Sequence, residues 1–470
     1  GNLDLDIQAI ESDSRKVSKN TMFIAISGFA TDGHKYIKQA IENGASAIMV
    51  QEGAKISKED VTDDVTIIMA PDTRIAAAKA ACNFYKNPSK KLKLIGVTGT
   101  KGKTTTTFMI KAILEAQGKK VGLIGTVANY ICGKNLGESS RTTPDSLELQ
   151  KLFNDMVEAG AEYAIMEVSS QALKLHRVDG CDFDIGVFTN FSEDHISDHE
   201  HPDMEDYFNS KLKLIERSKA SFINADDFRV SKIKKLLPEK NIKSYGIDNE
   251  ADLIAKDITI TNSSVDFKVK INGKNERVKT GIPGRFSVYN SLAAISVVSK
   301  LGVDAETIKE ALLNVRVPGR SELVDNKKGL TIMIDYAHSP ESLQSILSAV
   351  KSYTRGKVIS VFGCGGDRDK TKRPIMGQIS TNIADFTIIT SDNPRTEDPD
   401  TIVNEIEVGA KKAKGKYKKI VNRTEAIKYA INMASKNDII VLAGKGHETY
   451  QEINGVKHHY DEREIIKEVI

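Results

Sequence analysis

The chain has 470 residues, of which 40% are hydrophobic and 28% are charged, and its formal net charge is only +3. This length fits about three domains of ordinary size. The near balance of charge argues against bulk electrostatic binding to nucleic acid or to a membrane surface, and we expect neither as a partner.

Cysteine use and hydropathy bound the setting of the protein. The four cysteines are scattered without a Cys-x-x-Cys pair, which favours a reducing compartment over a disulfide framework or a thiolate zinc site. No apolar run is long enough to span a bilayer, and no signal peptide is recognisable, so we expect a cytoplasmic protein. Because the chain begins with Gly1 rather than Met, we expect a short segment to precede it.

Short apolar runs alternate with longer helical patterns almost throughout, which predicts an α/β fold of βαβ units with parallel sheets. A first module, residues 1–88, has strand-like runs at 22–26, 47–50 and 66–69. The polar, proline-containing segment 87–91 predicts the first linker. A second module, residues 89–316, opens with the run 92–97, and the VPG segment at 317–319 marks the start of a third module, residues 317–470.

The third module has strand-like runs at 331–334, 358–362, 386–390 and 438–442, each followed by a loop rich in Gly, Asp, His, Asn or Arg. Ligands of open parallel sheets bind just past the carboxyl ends of the strands. Four such loops therefore predict one shared site. The alternative is that these loops are polar only because surface loops usually are.

The segment GVTGTKGKTTTT at 96–107 lies between an apolar strand and a helical pattern at 108–116. Gly99 and Gly102 let backbone N–H groups face a phosphate, Lys103 supplies charge to the β and γ oxygens, and Thr104 offers a hydroxyl to Mg²⁺. The spacing departs from the standard loop, since Val97 stands where glycine is expected. The alternative is a Gly/Thr-rich surface turn, and the segment does not separate ATP from GTP.

A phosphate-binding loop needs partners for its metal ion. Glu167 follows the apolar run 163–166, and the segment TNFSEDHISDH at 189–199 follows the run 185–188. His195 and His199 stand one helical turn apart, which raises the alternative of zinc. Oxygen ligands with at most one histidine around Mg²⁺ are the preferred prediction. We interpret His201 as ordinary surface polarity, which is also the alternative for His199.

The motifs GTKGKTT, EVSSQAL, TNFSEDHISDH, GRFSVYNSLAA and DYAHSP follow one another along the chain. In this order they resemble the Mur ligase family over essentially the whole length. The resemblance implies three domains: 1–88 binds the UDP-linked substrate, 89–316 is a central P-loop ATPase-type domain with a parallel sheet, and 317–470 is a Rossmann-like domain for the incoming amino acid. It also implies that ATP phosphorylates a carboxylate, whose acyl phosphate an amine then attacks. We expect a monomer.

The resemblance assigns roles around ATP and Mg²⁺. Asn290 would meet adenine, Asp335 the ribose and Arg320 the phosphates, while Lys211 would be carbamylated and ligate a metal ion. The alternatives are a helix cap or turn for Asn290 and an exposed helix lysine for Lys211. The implied ATP contacts are Gly99, Thr100, Lys101, Gly102, Lys103, Thr104, Thr105, Asn290, Arg320 and Asp335. The implied catalytic residues are Lys103, Lys211, Glu167 and His195, and the implied metal ligands are Thr104, Glu167, His195 and the Lys211 carbamate.

For the UDP-linked substrate, the resemblance points to hydroxyl groups and one arginine, which are suitable donors to a pyrophosphate. Each could instead be an ordinary cap or turn residue. The implied contacts are Ser14, Ser27, Thr142, Thr143, Ser169 and Arg177.

Within the family, the motifs DSRKV at 13–17, RTTPD at 141–145, DNPR at 392–395 and GKGHE at 444–448 resemble those of members that add meso-diaminopimelate to UDP-MurNAc-L-Ala-D-Glu in peptidoglycan synthesis. Arg395 would bind the distal carboxylate that L-lysine lacks, through paired hydrogen bonds. The implied diaminopimelate contacts are Arg368, Asp392, Asn393, Arg395, Gly444 and Glu448.

Four alternatives stay open at this point. The DNPR segment could be only a proline turn with a solvated arginine, and the same ligase could add L-lysine. A folate acceptor is disfavoured by the DSRKV and TTP motifs. A nucleotide-binding module without ligase chemistry would leave the DNPR and GKGHE loops without a role.

Overall fold

The computed structural model describes residues 2, 4–28, 31–57, 61–62, 64–139, 141–194, 196–197 and 200–470. The chain divides into two compact units, the first comprising Gly1–Asp252 with Ser296–Lys300 and the second Leu253–Ile295 with Leu301–Ile470. Both units are built of helices and mainly parallel sheets, which confirms the predicted α/β class. Among the described helices, none is long and apolar enough to cross a membrane.

The described strands of the first unit form two sheets. The smaller is parallel, with the strand order β1-β2-β3-β4. In the larger, the strands of this unit lie in the order β12-β11-β10-β5-β9-β6-β7-β8, and only β7 and β8 run antiparallel to their neighbours. The strands are β1 Ala9–Glu11, β2 Thr21–Ile24, β3 Ala45–Gln51, β4 Thr66–Ala70, β5 Lys93–Thr98, β6 Val121–Ile124, β7 Tyr130–Ile131, β8 Lys134–Asn135, β9 Tyr163–Glu167, β10 Ile185–Phe188, β11 Ala220–Asn224 and β12 Ile242–Gly246.

The described residues of this unit form the helices α1 Ile37–Glu42, α2 Thr73–Phe84, α3 Lys103–Ala116, α4 Ser146–Glu158, α5 Ser170–Lys174, α6 Met204–Arg217 and α7 Ile233–Leu236. The N-termini of α2, α4, α5 and α6 are capped by Asp72, Asp145, Ser169 and Asp203. Helix α3 instead begins after Gly102, with no side-chain cap. A helix N-terminus without a side-chain cap suits the binding of an anion.

The continuous apolar runs of the first unit form strands because they are buried on both faces. All four residues of β10 are buried, as are the last five of β5. The predicted run 22–26 is two residues too long, since β2 ends at Ile24. The chain turns back beyond it, where the N–H of Gly33 donates to the carbonyl of Ile26 at 2.9 Å.

The second unit has a six-stranded sheet, a three-stranded antiparallel sheet and a hairpin. The larger sheet has the order β17-β18-β22-β19-β20-β21 and is parallel except for β17. The strands are β13 Leu253–Ile254, β14 Lys256–Ile260, β15 Val265–Ile271, β16 Lys274–Thr280, β17 Glu322–Leu323, β18 Thr331–Asp335, β19 Val358–Phe362, β20 Phe386–Ile389, β21 Lys416–Lys419, β22 Ile439–Ala443, β23 Tyr450–Ile453 and β24 Val456–His459. The helices are α8 Arg285–Lys300, α9 Ala305–Asn314, α10 Pro340–Tyr353, α11 Lys372–Ile383, α12 Pro399–Ala410, α13 Arg423–Met433 and α14 Glu462–Val469.

Apolar clusters pack on the two faces of the larger sheet, one against α10, α11 and α12 and the other against α13 and α14. This doubly covered parallel sheet is the predicted Rossmann-like arrangement. Strands β18, β22, β19 and β20 are adjacent and parallel, so their carboxyl ends meet at one edge. The antiparallel sheet of β14, β15 and β16 is a feature that the prediction of uniform βαβ units did not include.

Candidate active site

The phosphate loop connects β5 to α3, as predicted. Gly99 has φ of +140°, and a Cβ atom there would lie 2.0 Å from the Oγ1 of Thr189, so only glycine fits. The Nζ of Lys103 donates to the carbonyls of Gly99 at 2.9 Å and Thr100 at 3.0 Å. The surface-turn alternative is wrong, because Thr104 and the three threonines after it are buried in α3.

Neighbouring segments hold the rest of the loop. The N–H of Lys101 donates to the Oδ1 of Asn190 at 2.8 Å, and its carbonyl accepts from the Oγ1 of Thr189 at 2.7 Å. The Oγ1 of Thr100 lies 3.3 Å from the phenol oxygen of Tyr207. These bonds fix both ends of the glycine-rich turn.

Glu167 ends β9 beside this loop and is only 1% exposed. Its Oε2 accepts from the hydroxyls of Thr104 at 3.0 Å and Thr126 at 3.1 Å, and its Oε1 accepts from the N–H of Thr126 at 2.8 Å. The sequence reasoning did not identify Thr126. The sequence feature that could have indicated Thr126 is the preceding Gly125, where a Cβ atom would lie 2.4 Å from the Oε1 of Glu167.

The donor set of Thr104 and Glu167 suits Mg²⁺, because carboxylate and hydroxyl oxygens are the hard ligands that this ion prefers. His195 and His199, and with them the zinc alternative, lie outside the described residues. Within the described part of the chain, no group of three or more His, Cys, Asp or Glu residues could hold a metal ion.

Lys211 lies on α6 with only 1% of its surface exposed, so the alternative of an exposed helix lysine is wrong. Its Nζ donates to the carbonyl of Gly99 at 2.9 Å and lies 4.4 Å from the ring centre of Tyr207. Burial, with the charge of Lys103 nearby, holds the pKa of the Lys211 amine well below its usual range.

The interpretation of His201 as surface polarity is wrong. The side chain is fully buried, with its Nδ1 2.6 Å from the Oδ2 of Asp206 and its Nε2 2.9 Å from the Oγ of Ser170. Its ring lies 5.0 Å from that of Tyr207. Burial lowers the pKa of His201. The polar residues around it in the sequence gave no indication of this tertiary packing.

A cavity of about 680 Å³ lies in the first unit, between the segment around Ser14 and the segment after α5. Four arginines and two aspartates face it: Arg15, Arg74, Arg141, Arg177, Asp13 and Asp145. Burial, together with Arg141 and Arg74, lowers the pKa of Arg177 to about 10. The excess of arginine indicates a ligand with anionic groups.

The predicted substrate-binding hydroxyls are spread from this cavity to Glu167. Thr143 donates through its Oγ1 to the carbonyl of Glu167 at 2.8 Å and accepts from the N–H of Ser169 at 3.0 Å. The Nη1 of Arg177 donates to the carbonyl of Thr143 at 3.0 Å. Thr142 lies 3.0 Å from Thr126, hydroxyl to hydroxyl. This network joins Arg177 in the cavity wall to Glu167.

The two predicted serines outside this network have local partners. Ser14 lines the cavity and donates to the Oε1 of Gln39 at 2.7 Å. Ser27 donates to the Oδ1 of Asp32 at 3.0 Å, and its carbonyl accepts from the Nη2 of Arg74 at 2.7 Å.

In the second unit, the four polar loops lie at one edge of the sheet, as predicted. Asp335 ends β18 and accepts from the N–H of Ser321 through its Oδ2 at 2.8 Å, while its carbonyl accepts from the N–H of Gly444 at 3.0 Å. A Cβ atom on Gly444, where φ is +115°, would lie 2.4 Å from the Oδ2 of Asp392. The loops after β18, β20 and β22 therefore touch directly.

The DNPR and GKGHE segments interlock. The Nδ2 of Asn393 donates to the Oε2 of Glu448 at 2.9 Å. Arg395 donates through Nε to the Oε2 of Glu452 at 3.1 Å and through Nη1 to the carbonyl of Gly366 at 2.8 Å. Its side chain is 20% exposed, so the alternative of a solvated arginine is wrong. Arg368 is exposed. Sequence reasoning missed the buried Lys445, although the GKGHE motif contains it.

Two further predicted residues of the second unit have defined surroundings. The guanidinium carbon of Arg320 lies 4.8 Å from the ring centre of Tyr336. Asn290 is buried within α8 rather than at its end, so the alternative of a helix cap or turn is wrong.

A phosphate loop at the end of a parallel strand, with a buried carboxylate beside its threonine, is the arrangement of phosphoryl-transfer enzymes. Three family models match this chain: the Mur ligase family catalytic domain over residues 6–85, the Mur ligase middle domain over 97–298, and the Mur ligase glutamate ligase domain over 319–446.

Relatives are similar over the full chain. The UDP-N-acetylmuramoyl-L-alanyl-D-glutamate–2,6-diaminopimelate ligase of Caldanaerobacter subterraneus subsp. tengcongensis is 49% identical, covering 100% of this chain and 96% of the relative. The enzyme of the same name from Clostridium tetani is 47% identical with the same coverage. The chain belongs to the Mur ligase family.

Solved structures agree with this assignment. A 2,6-diaminopimelate ligase of the same name superposes with a TM-score of 0.71 at 30% identity, covering 100% of this chain and 96% of the other. The MurF ligase of Thermotoga maritima in complex with ADP shares the fold, with a TM-score of 0.64 at 22% identity and coverage of 94% and 95%. The three-domain architecture of the family is therefore that of this chain.

Proposed function

We propose that this chain is the ATP-dependent ligase that joins 2,6-diaminopimelate to UDP-MurNAc-L-Ala-D-Glu in peptidoglycan synthesis. The observation that carries the proposal is identity of 47–49% along the whole chain to ligases of that name. The phosphate loop suits ATP, and the arginine-lined cavity suits the UDP-linked substrate. The DNPR and GKGHE segments, here called the acceptor loops, suit diaminopimelate. We keep the domain limits 1–88, 89–316 and 317–470, a cytoplasmic setting and a monomeric state as part of the proposal.

The phosphate loop suits transfer of the γ-phosphoryl group of ATP to a carboxylate of the substrate. Both reactants are anionic and repel each other, so positive charge near the transferred group lowers the barrier. Lys103 supplies one such charge, and its bonds to Gly99 and Thr100 hold it at the loop. Asn290, Arg320 and Asp335 remain our proposed contacts to adenine, phosphates and ribose.

Thr104 and Glu167 are the described residues that we propose to hold Mg²⁺, together with His195 and the carbamate of Lys211. When bound, Mg²⁺ supplies neutralisation of charge on the phosphates and the acyl oxygen. Thr126 already donates twice to Glu167, which fixes the orientation of that carboxylate. We therefore add Thr126 as a residue that orients a metal ligand.

The cavity of the first unit is our proposed site for the UDP-linked substrate. Its arginines suit the pyrophosphate, and its volume of about 680 Å³ suits a nucleotide-sized ligand. Ser14, Ser27, Thr142, Thr143, Ser169 and Arg177 remain the proposed contacts.

The interlocked loops of the second unit are our proposed site for diaminopimelate. Arg395 and Arg368 would meet its carboxylates, and Asp392 and Glu448 its ammonium groups, while Asn393 and Gly444 complete the loops. After phosphorylation, the amine of diaminopimelate attacks the acyl carbon, and collapse of the tetrahedral intermediate releases phosphate and leaves an amide. An arginine that faces the distal group favours a carboxylate over the ammonium of L-lysine.

The decisive experiment supplies the purified protein with ATP, Mg²⁺, UDP-MurNAc-L-Ala-D-Glu and one amino acid at a time. We expect phosphate release and a product heavier by one diaminopimelate residue, only when both precursors are present. Mass spectrometry of the product identifies the added residue. Equal turnover with L-lysine would contradict the specificity, and absence of any amide product would contradict the function.

The second prediction concerns Arg177. Arg177→Met removes a guanidinium from the cavity, so the KM for UDP-MurNAc-L-Ala-D-Glu should rise about tenfold or more while the KM for ATP stays unchanged. Steady-state kinetics measure both constants. Arg229→Met, which removes an arginine that is 38% exposed, serves as the control and should leave both constants unchanged. A wild-type KM in the Arg177 variant would remove this residue from the proposed site.

The third prediction concerns Arg395. Arg395→Ala should raise the KM for diaminopimelate about 10–100-fold, because a charged hydrogen-bonding partner of the carboxylate is lost, while ATP binding persists. The exposed Arg355 provides the control Arg355→Ala. Unchanged kinetics for diaminopimelate would show that Arg395 does not bind the distal carboxylate.

The fourth prediction concerns the carbamate of Lys211. Burial and the charge of Lys103 lower the pKa of this amine, which favours its neutral form, the form that can add CO₂. With ¹³C-labelled CO₂, we expect a carbamate signal in the NMR spectrum of the wild-type protein. Activity should fall in CO₂-depleted buffer and return with bicarbonate.

Lys213→Met on the same helix is the matched control and should retain the carbamate signal, whereas Lys211→Met should lose it together with activity. A wild-type protein that stays fully active without CO₂ and shows no signal would refute the modification.

A further inference from the structure

Lys445 is a buried cation at the centre of the acceptor loops. Its side chain is 0% exposed, and its Nζ lies 3.0 Å from the Oδ1 of Asn393, 3.5 Å from the Oε2 of Glu448 and 3.8 Å from the Oδ1 of Asp392. An ammonium group is costly to bury unless it is paired and hydrogen-bonded. Here it is surrounded by the residues already proposed to bind the ammonium groups of the amino acid.

The side-chain amide of Asn393 links Lys445 to Glu448 and Glu452. Its Oδ1 accepts from Lys445 and also from the N–H of Glu452 at 3.0 Å, which orients the amide. Its Nδ2 then faces the Oε2 of Glu448, to which it donates at 2.9 Å. Glu452 in turn pairs with Arg395. The buried amine of Lys445 is therefore connected through Asn393 to Glu448 and, through Glu452, to Arg395.

Two carboxylates close to one buried site repel each other unless a positive charge lies between them. Asp392 and Glu448 have side chains only 10% and 13% exposed, and both lie within 4 Å of Lys445. We infer that Lys445 is a positioning residue for the acceptor amino acid. It holds Asp392 and Glu448 close together as carboxylates, and these carboxylates receive the ammonium groups of the amino acid. The inference rests on the proposed function. Because Lys445 is completely buried, it acts through these neighbours and does not touch the substrate.

The charged and titratable groups that face Glu448 are Asp392, Lys445 and the phenol of Tyr336. Burial and the charge of Asp392 raise the pKa of Glu448, while Lys445 and Asn393 oppose that rise. Burial raises the pKa of Tyr336 to about 12, so this phenol stays neutral through the range of the assay. Loss of Lys445 therefore raises the pKa of Glu448 further, and less of the carboxylate is ionised as the pH falls.

The test is Lys445→Met, which keeps an unbranched side chain but removes the charge. We expect the KM for diaminopimelate to rise about tenfold or more, with the KM values for ATP and UDP-MurNAc-L-Ala-D-Glu unchanged. The ratio of variant to wild-type KM should be larger at about pH 6 than at about pH 9, because ionised Glu448 is required. Lys467→Met, at an exposed position of the same unit, should match the wild type.

A second variant separates charge from hydrogen bonding. Lys445→Gln retains a donor toward Asn393 without the positive charge, so the pH dependence of its diaminopimelate KM should follow that of Lys445→Met. Its KM at about pH 9 should be closer to the wild-type value, since the orientation of Asn393 is kept.

Each remaining outcome decides against the inference. An unchanged diaminopimelate KM, a uniform loss in kcat with all three KM values, or a wild-type pH profile would assign Lys445 to stability alone. Failure of both variants to fold would do the same. If the wild-type protein itself forms no amide, the proposed function is wrong. This failure is distinct from failure of the Lys445 inference, because it is measured without any Lys445 variant.

Discussion

The amines of a partly buried lysine and a buried lysine share one backbone oxygen in the first unit. The Nζ atoms of Lys103 and Lys211 both donate to the carbonyl of Gly99, each at 2.9 Å. Two ammonium ions this close repel strongly wherever water is excluded. The loop can therefore hold one cation and one neutral amine at much lower cost than two cations. Burial and the charge of Lys103 hold the pKa of the Lys211 amine well below its usual range, which favours the neutral form of this amine.

That constraint links the geometry of the loop to its proposed chemistry. A neutral amine is a nucleophile, and conversion to a carbamate changes its charge from zero to negative. The same closeness that disfavours two cations then favours an anion beside Lys103. A carbamate would also add hard oxygen donors to those of Glu167 and Thr104, the residues that we propose to hold Mg²⁺. A carbamate on Lys211 would therefore relieve the repulsion between the two amines at the phosphate loop.

The parts of the fold that the sequence predicts well are those fixed by local pattern. The runs 185–188 and 358–362 coincide with β10 and β19, because strands buried on both faces read as unbroken apolar segments. The antiparallel sheet was not predicted, although β15 alternates buried and more exposed residues and Asn272-Gly273 follows it. This pair, with positive φ at both residues, is the expected hairpin turn.

The parts of the site that were not predicted depend on contacts between distant segments. His201 and Lys445 are polar residues that only tertiary packing buries, and Thr126 meets Glu167 across 41 positions of the chain. His201 meets Ser170 across 31 positions, and Lys445 meets Asn393 across 52. A motif identifies which residues recur together, but it does not indicate which member is exposed to the ligand and which is buried behind it.

The acceptor loops show why this distinction matters for specificity. If Arg395 binds the distal carboxylate as proposed, selection of a carboxylate over an ammonium requires that its guanidinium cannot move away from an unfavourable substrate. Its Nε and Nη1 are held by Glu452 and Gly366, and its backbone, at φ of +51°, is bonded on both sides to the β23–β24 hairpin. A side chain fixed in this way loses little conformational entropy on binding a carboxylate. It also cannot move to relieve the repulsion from a cationic group. Discrimination is therefore a property of the residues that hold the arginine as much as of the arginine itself.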